Sequence, residues 1–388
     1  MVMSGVSFQP AVPAESPDAP RFAVLGAGHG GLAMAGHLSL LGFQVSLFNR
    51  SDERLEPIRQ SGGIALNGVV EGFAPLSVVT SNMEEALAEA DVIMVVVPAN
   101  AHRWLAETAA PYLRDGQIVV LHPGRTGGAL EFLHVVASKG VRVDATIAEA
   151  QTLIYAARNN NPAQVTIYGI KNNVPVAALP SHNTANVVKV LRTALPQFVP
   201  GDNVLKTSLD NIGAIFHPGL LILNATRVEA TRGDFDFYMD GVTPSIGKVL
   251  EAMDAERVAV ADALGIRAMT ARTWLYVAYD AAGRTLYEAI QNNHGYKGIK
   301  APTGLYHRYI TEDIPMSLVP IAALGELLDV PTPTIRSMIH LGSLLLEEDY
   351  WQLGRTKERM GIDGLTATEI RRFVMEGGLA WLKENEKS

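Results

Sequence analysis

Two segments of the chain hold residues that could move protons. In "NIGAIFHPGLLILNA", Asn211 to Ala225, His217 interrupts an apolar run that otherwise reads as a buried helix. A neutral imidazole carries one donor and one acceptor, and leaving either unpaired in a core costs about 1 to 3 kcal/mol. His217 therefore needs a partner. The polar and aromatic segment "APTGLYHRYITEDIPMSLVP", Ala301 to Pro320, offers Asp313, directly before "IPMSLVP". A carboxylate there stands at an expected helix N-terminus, where the dipole favours the ionised form. If Asp313 accepts the Nδ1 proton of His217, the tautomer is set and Nε2 is free for proton transfer near neutral pH. The plainer alternative, a satisfied core histidine, is the usual reading of a lone histidine in an apolar run.

A second chemical feature lies near the start. "RFAVL" reads as a strand, "GAGHGG" as a glycine loop, "LAMAGHLSLLG" as a helix and "QVSLFNR" as the next strand. The spacing of Gly26, Gly28 and Gly31 inside such a unit is that of a dinucleotide-binding turn. Gly26 serves the tight turn, Gly28 the close approach of a pyrophosphate, and Gly31 the packing of helix on strand. Amides at the helix N-terminus face the anion. His29, inside the loop, lines the cofactor cleft without chemistry. At the end of the second strand "FNRSDER" puts Asn49, Arg50 and Ser51 where an NAD-binding carboxylate would stand, which favours NADP(H). Arg54 adds to that charge. NAD(H) is the alternative, with Arg50 stacked on the adenine and Asp52 serving the ribose.

These residues must be positioned by a larger frame. "ADVIMVVVPA", Ala90 to Ala99, and "QIVVLHPG", Gln117 to Gly124, are near-continuous apolar runs, as expected of strands covered on both faces. Pro98 ends the first, at the strand edge where ligands gather, and is expected to touch the cofactor. "HPGRTGGALEF" follows the second, either as a loop beside the nicotinamide, with Gly124, Gly127 and Gly128 admitting close approach, or as a plain turn. "DATIAEA" reads as a fifth strand with Glu149 near its carboxyl end; "QVTIYGIK" and "VPVAALP" read as two more. From Val204 onward helical periodicity dominates. The expected fold is α/β: an N-terminal Rossmann doubly wound parallel sheet over residues 21–205 after a disordered leader, 1–20, followed by an all-helical domain over 206–388.

Composition narrows the function. A formal charge of −8 and no basic tract argue against nucleic-acid or anionic-membrane partners. Without cysteine there is no thiolate metal site and no cysteine nucleophile. The histidines show no metal-ligand spacing. No apolar run is long enough for a membrane span and the first residues lack a signal-peptide layout, so a cytoplasmic enzyme is expected.

"HPGLLILNA" with "HRYITEDIPMSLVP", after "GAGHGG" and "HPGRTGGALEF", resembles the octopine/nopaline (opine) dehydrogenases from about Arg21 to the last helix. The resemblance implies NAD(P)H-dependent joining of an amino acid, or an amine, to a 2-oxo acid such as pyruvate through an imine. It puts a catalytic dyad on His217 and Asp313, a carboxylate-binding arginine on Arg308, and an amino-acid contact on Glu149. "FNRSDER" departs from the NAD-using members and leaves the cofactor open between the two nucleotides. Trp274, Tyr276 and Tyr279 are candidates for lining the pocket, and the apolar C-terminal helices suggest a homodimer. Two rivals stand beside this: a 3-hydroxyacid or glycerol-3-phosphate type ketoreductase, for which Lys206 or Lys248 would have to serve as acid, and a non-catalytic nucleotide sensor.

Overall fold

The computed structural model describes residues 19–377. The expected leader, save its last two residues, and the end of the last expected helix lie outside the described residues. Two compact units are present: one takes the chain up to Gly124, Gly128–Thr207 and the chain from Phe373 on, the other Arg125–Gly127 and Ser208–Arg372.

In the first unit the strands are β1 (Phe22–Leu25), β2 (Val45–Phe48), β3 (Gly63–Gly68), β4 (Gly72–Pro75), β5 (Val78–Thr80), β6 (Val92–Val95), β7 (Ile118–Leu121), β8 (Thr146–Ala150), β9 (Tyr155–Asn161), β10 (Gln164–Ile170), β11 (Val174–Leu179) and β12 (Phe198–Pro200). Eight form one sheet in the order β12-β11-β8-β7-β6-β1-β2-β5. Neighbours are parallel with one exception, β11 against β8. The expected doubly wound parallel sheet is present, and its one antiparallel neighbour arises because the chain returns from β8 through β9 and β10 and enters β11 from the opposite end. β1, β6 and β7 are buried along their whole length, which explains their unbroken apolar runs. Chain order reverses between β1 and β6, the switch point beside which ligands bind in such sheets.

The remaining strands form a second sheet, β4-β3-β10-β9, so "QVTIYGIK" belongs there and not to the main sheet. Helix α1 (His29–Leu40) packs on strands of both sheets. It is accordingly apolar nearly all round. Gly36 permits this: a Cβ there would lie 2.5 Å from a methyl of Leu66 on β3. The strands β3, β4 and β9 escaped the sequence reading because Gly, Ala, Pro and Asn carry little strand preference; pairing and packing on α1 decide them. Helix α2 (Gly128–Ser138) follows β7.

The second unit is helical, and among its described residues the only extended pairing is the isolated bridge between Asp236 and Lys300. The helices that matter here are α3 (Gly213–Leu223), α4 (Pro244–Ala263), α5 (Ala271–Tyr279), α6 (Arg308–Thr311), α7 (Val319–Leu327) and α8 (Pro333–Leu346). A five-residue π turn, Ile314–Leu318, leads into α7. Gly219 lets α3 meet α4, since a Cβ there would stand 2.7 Å from Leu250. The three residues Arg125–Gly127 join this unit through hydrogen bonds: Thr126 N–H donates to the Met316 carbonyl, Gly127 N–H to the Ser208 hydroxyl, and the fully buried Arg355 to the Thr126 carbonyl. Among the described residues no helix is long and apolar enough to cross a membrane.

Candidate active site and cofactor loop

Helix α3 carries His217 on a face that is otherwise core, and 22% of the side chain remains exposed. Its Nδ1 lies 2.8 Å from Asp313 Oδ2. One ring face stacks on Tyr309 of α6 at 4.1 Å, and Tyr309 stacks in turn on Phe237 at 5.5 Å. The imidazole is thus held in orientation by a carboxylate at its edge and an aromatic ring on its face. With Nδ1 engaged, Nε2 is the atom available for proton transfer.

Asp313 is fully buried. It precedes a helical turn, as expected, and its side chain makes no capping hydrogen bond there. Burial pushes the carboxyl up; the Arg125 guanidinium, 3.1 Å from Oδ1, then His217 and Arg308, outweigh it and hold the group below the usual carboxylate range. Arg125 is itself only 10% exposed and also meets Glu312, Nε to Oε1, at 3.3 Å. The other oxygen of Glu312 meets Arg308 Nε at 3.0 Å. The result is a row of alternating charge, Arg308, Glu312, Arg125 and Asp313, ending on His217.

Arg308 is half-exposed, at 57%. Since its Nε faces Glu312, the paired terminal nitrogens are the edge left for a ligand. Trp274 and Tyr279, from α5, pack edge to face at 5.3 Å, and Trp274 meets Phe216 at 6.4 Å, so two of the three expected aromatics join a network next to the dyad. Tyr276 is turned outward. Glu149 belongs to the first unit and is 1% exposed. Its carboxylate accepts from the Ala129 amide at 3.0 Å and the Thr207 hydroxyl at 2.6 Å, which ties the end of β8 to the start of α2. The glycines of "HPGRTGG" likewise serve packing: a Cβ on Gly124 would lie 2.5 Å from Glu149, and one on Gly127 2.4 Å from Met360.

Arg125, Glu312, Tyr309 and Phe237 were not singled out from the sequence. The available signal for Arg125 was an arginine among glycines in "PGRTGG", a cation at a spot that otherwise favours bare backbone.

In the first unit β1 ends at Gly26, whose φ of +119° and whose hypothetical Cβ, 2.5 Å from the Val96 carbonyl, both demand glycine. A Cβ on Gly31 would come within 1.7 Å of the Gly26 carbonyl, so helix and strand meet with no room to spare. Gly28 has nothing within 4 Å of its Cβ position. That open space ahead of the first turn of α1 fits a dinucleotide pyrophosphate. His29, exposed at the helix start, accepts through Nδ1 from the Asn159 amide of β9 at 2.8 Å. Pro98, after β6, is exposed.

After β2, the Asn49 side chain accepts from the Ala27 amide at 3.2 Å and donates to the Ser51 carbonyl at 3.0 Å, tying the glycine loop to the next turn. The exposed Arg50 lies over the Trp104 ring at 5.4 Å. Asp52 is held by Arg59, at 2.7 and 3.1 Å, and by Ser81 at 3.0 Å.

Comparison with known proteins follows the same division. Residues 200–346 match the family model for the α-helical domain of NAD/NADP octopine/nopaline dehydrogenase, and residues 21–169 that for the N-terminus of NAD-dependent glycerol-3-phosphate dehydrogenase. The chain is 38% identical over 358 residues to an opine dehydrogenase of Arthrobacter sp. (strain 1C), covering 92% of this chain and 99% of that protein. Its fold is similar to that of an octopine dehydrogenase solved with NADH and agmatine (TM-score 0.77, 21% identity, 91% of this chain and 98% of the other). A yersinopine dehydrogenase with NADP+ bound aligns at a TM-score of 0.68 with 15% identity over 92% of this chain and 98% of its own.

Proposed function

This chain belongs to the opine dehydrogenase family, and from that premise we propose how its own residues carry out the reaction. It is an NAD(P)-dependent oxidoreductase acting on CH–NH bonds, reductively condensing the amino group of an amino acid with a 2-oxo acid. Simple amines in place of amino acids, and pyruvate as the oxo acid, belong to the proposal. The balance is amine plus oxo acid plus reduced cofactor and a proton, giving the N-(carboxyalkyl) product, water and oxidised cofactor.

The observation that carries the mechanism is the short contact of His217 Nδ1 with the buried Asp313 carboxylate. With that orientation, Nε2 takes a proton from the substrate ammonium, which frees the nitrogen lone pair to attack the oxo carbon. The same nitrogen returns a proton to the carbinolamine hydroxyl, which leaves as water and gives the iminium. Asp313 offsets the charge of the imidazolium between these two events. The outer edge of Arg308 pairs with a substrate carboxylate and holds the oxo carbon in place. When bound, the reduced nicotinamide supplies the hydride for the iminium carbon.

For the nucleotide, Gly26, Gly28 and Gly31 shape the turn that would hold the pyrophosphate, with His29 and Pro98 at its margins. NADP(H) is the favoured form. The carboxylate nearest the end of β2, Asp52, is engaged by Arg59, while Arg50 is exposed beside Ser51 on the Trp104 ring. That arrangement offers a cation and a donor to a 2′-phosphate. The homodimer and the cytoplasmic setting remain part of the proposal.

The decisive assay follows NADPH oxidation with pyruvate or another 2-oxo acid, with and without an amine, and weighs the product by mass spectrometry. Oxidation that requires the amine, with a product equal to both substrates joined minus one oxygen, is the expected result. Equal oxidation with and without the amine would hand the site to the ketoreductase reading.

A further inference from the structure

The dyad has a third member. We infer that Arg125, clamped on the far oxygen of Asp313, is a positioning residue that sets the pH at which the His217–Asp313 pair gives up its shared proton. This rests on the reading of that pair as the acid–base group of the reaction.

Three independent observations support it. The guanidinium reaches Asp313 Oδ1 at 3.1 Å while His217 occupies Oδ2 at 2.8 Å, so the arginine and the imidazole hold opposite oxygens of one buried carboxylate. Arg125 adopts φ of +59°, a left-handed conformation that disfavours any side chain but glycine. Gly124 just before it and Gly127 two residues after it are glycine, yet the strained position carries the arginine. Finally, the space beside it is kept clear: a Cβ on Gly213 would stand 3.2 Å from His217 Cε1 and 3.4 Å from Arg125 Nη1.

The physical consequence follows from charge. Beside Asp313 alone, a proton on the pair would be strongly favoured, because the carboxylate is buried and has no other cation within its first contacts. With Arg125 attached, the carboxylate stays ionised without needing that proton, and the pair releases it at lower pH, whichever of the two residues carries it. The other charged or titratable groups facing the pair are Arg308, Glu312, Tyr309, His307 and Tyr238. Glu312 sits between the two arginines and is shared by both, so it does not cancel Arg125 alone.

The test compares the full-length wild type with Arg125→Met and Arg125→Lys across pH, using amine-dependent NADPH oxidation together with NMR titration of the histidine ring signals. Arg125→Met should move the acid limb of the profile upward by about one pH unit, so that turnover falls by up to about tenfold on the acid side of the limb and recovers in alkali. Arg125→Lys, which keeps the charge but loses the fork, should move the limb part of the way. The double variant with Asp313→Asn should fall no further than Asp313→Asn alone. A loss that is equal at every pH, with the ring titration in its wild-type place, overturns the inference and leaves Arg125 a structural residue. If Arg125→Met does not fold, as its melting curve will tell, the lysine variant decides by the same criterion. The outcome stays separable from the function itself, because a wild type with no amine-dependent turnover would sink that reading while the ring titration still answers for Arg125.

Discussion

The glycine loop and the His217–Asp313 pair are built in opposite ways. The loop is contiguous: β1, Gly26 to Gly31 and the start of α1 follow one another, and Gly26 and Gly31 answer backbone constraints met within a few residues or after β6, while Gly28 faces open space. The pair and the arginine on it are assembled from three distant segments, Arg125 after β7, His217 on α3 and Asp313 before the π turn. A contiguous site can tolerate drift elsewhere in the chain. An assembled one depends on every packing contact that brings its parts together, here Thr126 and Gly127 on Ser208 and Met316, and Arg355 on Thr126.

The largest expected effect tests whether chemistry and cofactor binding are separable in this way. His217→Ala should lower turnover by about 10² to 10⁴-fold, the range of a positioned acid–base group. The same variant should bind NADPH with wild-type affinity, since Asp313, Arg125 and Tyr309, which hold the imidazole and its carboxylate, belong with it to the helical unit. Fluorescence titration of the variant with NADPH checks the second half. A parallel loss of binding would mean that the two regions are not independent.

How far each region could be read from the sequence follows the same contrast. The strand–glycine–helix unit was read with the right glycines, because local spacing and backbone sterics determine it. His217 and Asp313 were paired from the need of a buried imidazole for a partner, and the structure brings the two together at 2.8 Å. Arg125 was passed over because nothing near it in sequence reports the buried carboxylate it meets; only the fold does. Glu149 is a related case, since a carboxylate at a strand end looks the same in sequence whether it faces a ligand or a helix amide, and here it accepts from the Ala129 amide. Of the small sheet only β10 was read as a strand; β3, β4 and β9 were missed because packing on α1, not strand preference, decides them.

Within the contiguous site the glycines should differ in kind. Gly28→Ala meets no protein atom, so it should fold normally and raise the KM for NADPH, by about tenfold or more, with turnover at saturation nearly kept. Gly31→Ala places a Cβ 1.7 Å from a backbone carbonyl and should lower the melting temperature as well as cofactor affinity. Steady-state kinetics beside thermal melts separates the two. If Gly28→Ala proved as unstable as Gly31→Ala, the open space would be structural and not a ligand cradle.

A smaller effect concerns the choice of nucleotide. Arg50→Ala should weaken NADPH by about tenfold, the order expected for one exposed charge-assisted contact, and leave NADH nearly unchanged. Asp52→Asn should change neither, because Asp52 is occupied by Arg59 and Ser81. The ratio of kcat/KM for the two cofactors in each variant is the measurement. A gain in NADPH preference on removing the Asp52 charge would return that residue to the ribose.

The least expected effect on activity, and the one confined to the first unit, is in stability against acid. His37, packed between α1 and Tyr155 of β9, is pushed down by burial to about 4, and His122, after β7, by burial and then by Lys171 to about 3. Both bind a proton more readily in the unfolded chain, whose histidines titrate near pH 6.5. Their contribution is therefore complete above pH 6.5 and is lost as pH falls from there toward the folded values. Between pH 6.5 and 5 the loss is about 2 kcal/mol for each. Lowered carboxylates such as Asp52 and Asp313 give up their contribution only below that window, so the interval isolates the histidines. His37→Gln keeps a hydrogen-bonding side chain for the Tyr155 hydroxyl and has no proton to take up. Urea midpoints at pH 6.5 and 5 should draw closer in this variant than in the wild type, while amine-dependent turnover at neutral pH stays the same. An unchanged interval between the midpoints would mean that His37 gains access to water before the first unit unfolds.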